Sequence, residues 1–283
     1  MQISDRIGHA TGSPPVYGYS PALPCCDAAR DTILLGNMQM EIKDAVVIVT
    51  GASSGIGEAT ARAAALSGAR VVLLARRQDR IEALAREIGN DALAVACDVT
   101  RPEQVEHAVQ AAVQKYGRID VLVNNAGQGL HATIEEIGID DFKDVLNLNC
   151  VAPLVMMQAV IPHMRRQGAG SIVNVSSGAT LATYPGSAAY TSSKAALNML
   201  SSVARLELAD AGIAVSIMHP FITATEFYGA VRSGLESAKE QETQTSSFAH
   251  PPERVADMIL ELVRSGNAQA DLVPKDYGGS FEG

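Results

Sequence analysis

From Lys43 onward the chain repeats one pattern: a short apolar run, a turn rich in glycine or polar residues, then apolar residues at helical spacing. The runs are AVVIVT (45–50), VVLLA (71–75), ALAVACDV (92–99), IDVLV (119–123), SIVNVS (171–176), IAVSIM (213–218) and ADLVP (270–274). Each has strand length and is nearly continuous in its apolar character, as strands buried on both faces are. Between the runs, Ile81, Leu84, Ala85 and Ile88 recur at helical spacing and end at Gly89. Val105, Ala108, Val109, Ala112 and Val113 make a second apolar stripe. Further helices are expected over IGEATARAAALSGAR with Gly68 as its stop, over about 139–165, over about 188–210 ending near Gly212, and over 251–266. Thr100-Arg101-Pro102-Glu103 fits a capping box with proline in the first turn. Strand and helix in strict alternation predict an α/β fold, a doubly wound parallel sheet of about seven strands with helices on both faces. Ligands of such folds bind at the carboxyl ends of the strands.

Residues 1–40 do not share the pattern. ATGSPPVYGYSPALPCC is rich in glycine, proline and serine and has no periodicity, so a flexible leader is expected there. Met38 and Met40 are candidate starts beside Met1. Residues 41–283 are expected to form a single catalytic domain.

Composition narrows the choice of partner. Hydrophobic residues are 47% of the 283, enough for a large core, and charged residues are 19%, too few for a disordered chain. Tryptophan is absent and aromatics are 4%, so aliphatic side chains must fill the core. The net charge of −9 provides no basic excess to neutralise phosphates, which argues against nucleic acid as partner. No basic region followed by an apolar run marks a secretory signal, and no uncharged stretch of about 18 apolar residues marks a membrane span. A cytoplasmic protein without a membrane partner is the expectation. Cys25 and Cys26 are adjacent and lack C-x-x-C spacing; Cys97 and Cys150 lie in apolar surroundings. No metal site is expected.

The strand ends carry the chemistry. TGASSGIG (50–57) follows the first strand and opens a helix. Its glycines, Gly51, Gly55 and Gly57, permit close approach of a ligand to the backbone, and the helix N-terminus offers N–H groups to a pyrophosphate. The spacing is G-x-x-x-G-x-G rather than G-x-G-x-x-G. Asp98-Val99 ends the third strand, NNAG (124–127) the fourth, and Ser176-Ser177 the fifth. AAYTSSKAAL (188–197) places Tyr190 and Lys194 four apart, on one side of a helix.

From Lys43 to its end the chain resembles the short-chain dehydrogenase/reductase family, whose glycine motif is T-G-x-x-x-G-x-G within a Rossmann-type sheet. NNAG, in that order along the chain, is similar to the family's second hallmark. The resemblance implies a catalytic set of Asn149, Ser177, Tyr190 and Lys194. Ser177 is selected over Ser176 because the family's serine precedes the tyrosine by about 13 positions. Cofactor contacts are implied for Gly51, Ser53, Ser54, Gly55, Ile56 and Gly57, for Asp98 and Val99, for Asn124, Ala126 and Gly127, for Tyr190 and Lys194, and for Thr223 and Thr225. In HPFITATEF, Phe221 stands where the family usually has glycine, which puts the two threonine contacts in doubt. His219 reads as structural.

The tyrosine–lysine pair is chemically reasonable. An ordinary tyrosine titrates near 10, and acid–base work near neutrality calls for a value of ~7. The difference is worth ~4 kcal/mol. One ammonium at ~4 Å in an effective dielectric of ~20 supplies ~4 kcal/mol. The resemblance then implies that Tyr190 exchanges a proton with a carbonyl or alcohol oxygen, that Ser177 hydrogen-bonds that oxygen, that Lys194 also binds the nicotinamide ribose, and that Asn149 holds a water.

After the second strand, in LLARRQDR, the family's NAD-selecting carboxylate position falls on Ala75, with Arg76 directly after it. Arg76, with Arg77 as a helper, can meet a 2′-phosphate, so NADP(H) is the expected cofactor. Residues 226–250 fall where the family keeps a substrate lid, and Phe227, Tyr228, Val231 and Leu235 could share an apolar helix face. Leu130 and His131 are further pocket candidates. A partly hydrophobic small-molecule carbonyl or alcohol substrate follows. The helix DFKDVLNLNCVAPLVMMQAVIPHM is apolar on more than one face, and the resemblance implies a homodimer or homotetramer. Two rival readings are a non-catalytic NADP(H)-binding regulatory or scaffold protein, and a sugar-nucleotide epimerase or dehydratase. All four catalytic positions are filled, against the first. The glycine spacing and chain length oppose the second.

Overall fold

The computed structural model describes residues 40–282, less 228, 230, 237, 240–242 and 244–248. The leader expected at 1–40, with Cys25, Cys26 and Met38, therefore lies outside the described residues apart from Met40, as does Tyr228.

The apolar runs form seven strands: β1 Val46–Thr50, β2 Arg70–Ala75, β3 Ala92–Ala96, β4 Val121–Asn124, β5 Gly170–Val175, β6 Ile213–His219 and β7 Gln269–Asp271. All six pairings are parallel, in the order β3-β2-β1-β4-β5-β6-β7. The helices are α1 Gly55–Leu66, α2 Gln78–Ile88, α3 Pro102–Tyr116, α4 Ile139–Leu146, α5 Ala152–Gln167, α6 Ala188–Leu208 and α7 Pro252–Ser265. Strand alternation divides the core in two. Val47 and Val49 pack with Ala61 and Ala64 of α1, Ile81 and Leu84 of α2, and Val255 and Ile259 of α7. Val46 and Ile48 pack on the other face with Val105 and Val109 of α3, Met156 and Val160 of α5, and Leu208 of α6. The sheet is thus doubly wound, and its largest fully buried side chains are all leucine, isoleucine or methionine.

Two local expectations changed. Thr100 does not cap α3; Arg101 occupies the cap position, and no side chain bonds the first turn. Thr100 instead gives its N–H and its hydroxyl to Asp98 Oδ1, at 3.0 and 2.7 Å. An Asx-type turn at the strand end has outcompeted the capping box for the same threonine. The expected helix over 139–165 is interrupted by a π turn, Asn147–Val151, between α4 and α5. By length and composition the stretch Ile139–Gln167 is long and apolar enough to cross a membrane, with a mean hydropathy of 1.6 over its most apolar 18 residues. Here Ala152, Met156, Met157, Val160 and Met164 spend that apolar character on the sheet.

The sheet order reverses between β1 and β4. β2 and β3 lie on one side and β5 to β7 on the other, leaving a crevice beyond the strand ends at this point.

Candidate active site

A cleft of about 500 Å³ opens at that switch point. The glycine turn forms one wall. Gly51 has φ +67°, and a Cβ there would stand 2.8 Å from Asn125 Nδ2 and 3.0 Å from Ala126 Cα. Gly55 has φ +55°, and a Cβ there would meet Thr225 at 3.0 Å. Only glycine fits both conformation and space at these two positions. Gly57 lies against the Gly51 carbonyl and lets α1 pack close under the turn. The Ser54 side chain does not cap α1, so the helix starts without a side-chain acceptor on its first N–H groups. These features form a cradle that suits a phosphate.

Thr50 ties this wall to the next. Its hydroxyl oxygen accepts from the N–H of Asn125 and of Ala126, both at 3.0 Å. Asn125 Nδ2 returns a bond to Thr50 O at 2.9 Å. Asn124, expected at the cofactor, points away from the cleft into the sheet. It is buried and donates to Asn174 Oδ1 at 2.9 Å, while Asn174 donates to Ser201 Oγ at 2.8 Å. The second asparagine of NNAG, not the first, reaches the lining.

The second group gathers at the far end. Ser177, Tyr190 and Lys194 all line the cleft. Ser177 Oγ accepts from Ala179 N at 3.1 Å, which leaves its proton available to an oxygen of a ligand. Lys194 is 3% exposed, and its Nζ donates to Val175 O at 2.9 Å. Burial pushes the Lys194 ammonium down to about 8, slightly opposed by the neighbouring Cys150. Gly127 makes room for it: a Cβ there would stand 3.2 Å from both Lys194 Nζ and Asn149 Oδ1.

Asn149 sits in the π turn, fully buried, and does not line the cleft. Its Nδ2 donates to Gln128 O and to Ser193 Oγ, each at 2.9 Å, and its Oδ1 accepts from Gln128 N at 2.9 Å. Both Nδ2 protons are committed in these bonds, so this side chain braces the 126–128 loop against α6. The π turn is the local distortion that aims it there.

Arg76 and Arg77, the two arginines expected to meet a 2′-phosphate, make different contacts. Arg76 lines the cleft near Asp98, whose carboxyl has a lowered pKa. Burial opposes that shift, and it is outweighed by the two Thr100 hydrogen bonds and the charges of Arg76 and Arg101. Arg77 crosses to the glycine turn, donating to Ser53 Oγ at 3.1 and 3.0 Å and to Ser54 Oγ at 2.6 Å. It also bonds Glu226 at 2.9 Å, a partner no sequence pattern announced.

The remaining wall is aromatic. Phe227 lies 5.6 Å from the Tyr190 ring, and Phe221 lies 5.2 Å from the Tyr277 ring. Tyr184 and His131 also line the cleft. Phe221, in the usual glycine position, thus fills space at the pocket edge. Leu130 is wholly buried in a cluster with Val145 and Ala189 and takes no part. Val231 and Phe227 approach Gly129, but Leu235 is 42% exposed, so the expected lid face is not a single one. Thr223 is buried and bonds Phe221 O, and Thr225 rests on Gly55. His219 is buried behind Ser177, its Nδ1 3.3 Å from Ser177 O. Of the expected cofactor set, Ser53, Ile56, Val99 and Ala126 also reach the lining. Among the described residues no group of three or more histidine, cysteine or acidic side chains is placed to hold a metal.

A parallel sheet with a glycine cradle at its switch point defines a nucleotide-binding α/β protein. Comparison with known proteins gives the family. The profile described as short chain dehydrogenase matches residues 45–236. An uncharacterized oxidoreductase of Listeria innocua is 34% identical over 234 residues, covering 79% of this chain and 92% of that one. Another, of Staphylococcus saprophyticus, is 39% identical over 188 residues, 65% of this chain and 76% of that one. Among solved structures, a 3-ketoacyl-(acyl-carrier-protein) reductase from Brucella melitensis complexed with NADH has TM-score 0.74 at 29% identity, covering 82% and 97% of the two chains. A short chain dehydrogenase/reductase from Burkholderia phymatum in complex with NAD has TM-score 0.79 at 25% identity, covering 83% and 91%. This chain belongs to the short-chain dehydrogenase/reductase family and is an oxidoreductase of that type.

Proposed function

We propose that the protein is an NADP(H)-dependent reductase or dehydrogenase acting on a carbonyl/secondary alcohol pair, with Tyr190 as the general acid and base. The observation that carries this reading is that Ser177, Tyr190 and Lys194 line the same cleft as the glycine cradle. Gly51, Ser53, Ser54, Gly55 and Ile56 would hold the pyrophosphate, and Asp98 and Val99 would border the adenine. Arg76 and Arg77 would meet a 2′-phosphate. Ala126, Gly127, Thr223 and Thr225 would flank the nicotinamide half. A bound nicotinamide supplies the hydride in reduction and accepts it in oxidation.

The protein's own residues manage the oxygen and its proton. Ser177 donates a hydrogen bond to the substrate oxygen and holds it toward Tyr190. Tyr190 gives its phenolic proton to that oxygen in reduction, or takes one from the alcohol in oxidation. Lys194 places a charge inside a buried site, where it favours the phenolate strongly. Asn149 keeps α6 and the 126–128 loop in register around that lysine. The aromatic wall of Tyr184, Phe221, Phe227 and Tyr277 favours a substrate with an apolar body. Residues 41–283 act as one catalytic domain. Met199, Val203 and Leu206 form an exposed stripe along α6, at 57, 43 and 70% exposure, which a second copy would cover in a homodimer or homotetramer. The test is consumption of NADPH and of NADH against a panel of ketones, aldehydes, quinones, steroids and 3-oxoacyl thioesters. NADPH-dependent turnover of at least one apolar carbonyl is expected. Stoichiometric NADPH binding with no turnover would support the scaffold reading instead.

A further inference from the structure

We propose that Glu226 weakens the preference for NADP(H) by competing with a 2′-phosphate for Arg77. The inference rests on the reading that Arg76 and Arg77 take the 2′-phosphate. Glu226 is remote in sequence from both arginines it holds. Its carboxylate accepts from Arg77 Nη1 at 2.9 Å and from Arg80 Nη1 at 3.0 Å through each oxygen. The rest of the Arg77 fork is committed to Ser53 and Ser54 in the glycine turn. Thr225, one residue earlier, rests directly on Gly55. Together these contacts carry the segment after β6 across the mouth of the glycine cradle. They also hold a negative charge on the Arg77 guanidinium that a 2′-phosphate would seek, with Arg80 fixing the carboxylate from its other side.

The consequence follows from charge and donor count. A guanidinium has five N–H donors, and Arg77 uses four of them in these bonds. A dianionic phosphate can engage Arg77 fully only by displacing Glu226 or by sharing the fork with it. Sharing sets like charges side by side. The arginine hydrogen bonds also keep the Glu226 carboxyl below its ordinary range, so it stays charged at neutral pH. A ribose 2′-hydroxyl carries no charge and meets no such competition. Glu226 therefore penalises NADP(H) selectively and narrows the gap that Arg76 and Arg77 open.

The test is the equilibrium binding of NADPH and NADH to wild type and to Glu226→Gln, by calorimetry at low salt. Both carboxylate and arginines are about half exposed, so the variant should remain folded, which a thermal melt checks. We expect Glu226→Gln to tighten NADPH about three- to tenfold, the range for two exposed charge pairs, with NADH unchanged. The gain should shrink at high salt. An unchanged or weaker NADPH affinity overturns the proposal, and so does a loss confined to NADH, which would make Glu226 a ribose ligand. Arg77→Ala separates the two layers. If it weakens NADPH while Glu226→Gln does nothing, the arginine reading survives and the competition fails. If Arg77→Ala and Arg76→Ala both leave NADPH unaffected, the 2′-phosphate reading itself fails.

Discussion

Lys194→Met tests the electrostatics of the site without any substrate. Lys194 is buried, and burial lowers its pKa from 10.5 to about 8. That difference makes the charged form in the fold cost about 3 kcal/mol. Below about pH 8 the folded lysine is charged and the full cost is present. Above that, the folded lysine gives up its proton while the unfolded one, titrating at 10.5, keeps it. The unfolded state then binds more protons, so the stability of the wild type rises with pH. Methionine has nearly the same shape and no titration. The stability of wild type relative to Lys194→Met should therefore rise by ~1.5 kcal/mol between about pH 7 and pH 9. Loss of the Lys194–Val175 hydrogen bond costs the variant about 1 kcal/mol at every pH, and cancels in the comparison. Urea denaturation of both cofactor-free proteins, at one concentration, measures the quantity. Parallel pH profiles for the two would refute a lysine held charged against burial.

Two further outcomes follow from the packing. Asn149→Ala removes three hydrogen bonds of a buried side chain at once and should cost about 2–4 kcal/mol of stability, read by denaturation. Its turnover should fall without any change in the pH dependence assigned above to Tyr190; a fully stable variant would contradict the bracing role. Leu206→Lys places a charge at the most exposed position of the α6 stripe and should lower the mass seen by light scattering. An unchanged mass would remove α6 from the assembly.

The fold was legible because its strands are buried on both faces. The runs 45–49 and 71–75 lack polar interruptions and 213–218 has only Ser216, and the same feature places them in the sheet interior. The helix ends at Gly68, Gly89 and Gly212 were legible too, since each adopts the positive φ that favours glycine. The π turn was not, because one extra residue in a continuously apolar helix leaves the hydrophobic pattern intact. Thr100 misled because one side chain can serve either of two turns, and Asp98 was the nearer acceptor. At the site, the motifs named Ser177, Tyr190 and Lys194, which line the cleft, and Asn124, which does not; its neighbour Asn125 takes the lining position. Arg77 and Arg76 are adjacent, and backbone direction at the end of β2 decides which reaches the glycine turn. Glu226, Tyr184 and Tyr277 carry no local signal; only the folded chain brings them to the cleft.

The central claim is that Tyr190 moves the proton. It is tested most directly by Tyr190→Phe, with NADPH-dependent carbonyl reduction and NADPH binding measured on the same preparation. Turnover reduced by about 10²–10⁴-fold with cofactor affinity essentially unchanged is the expected result. A variant that binds NADPH normally and turns over close to the wild-type rate would contradict it.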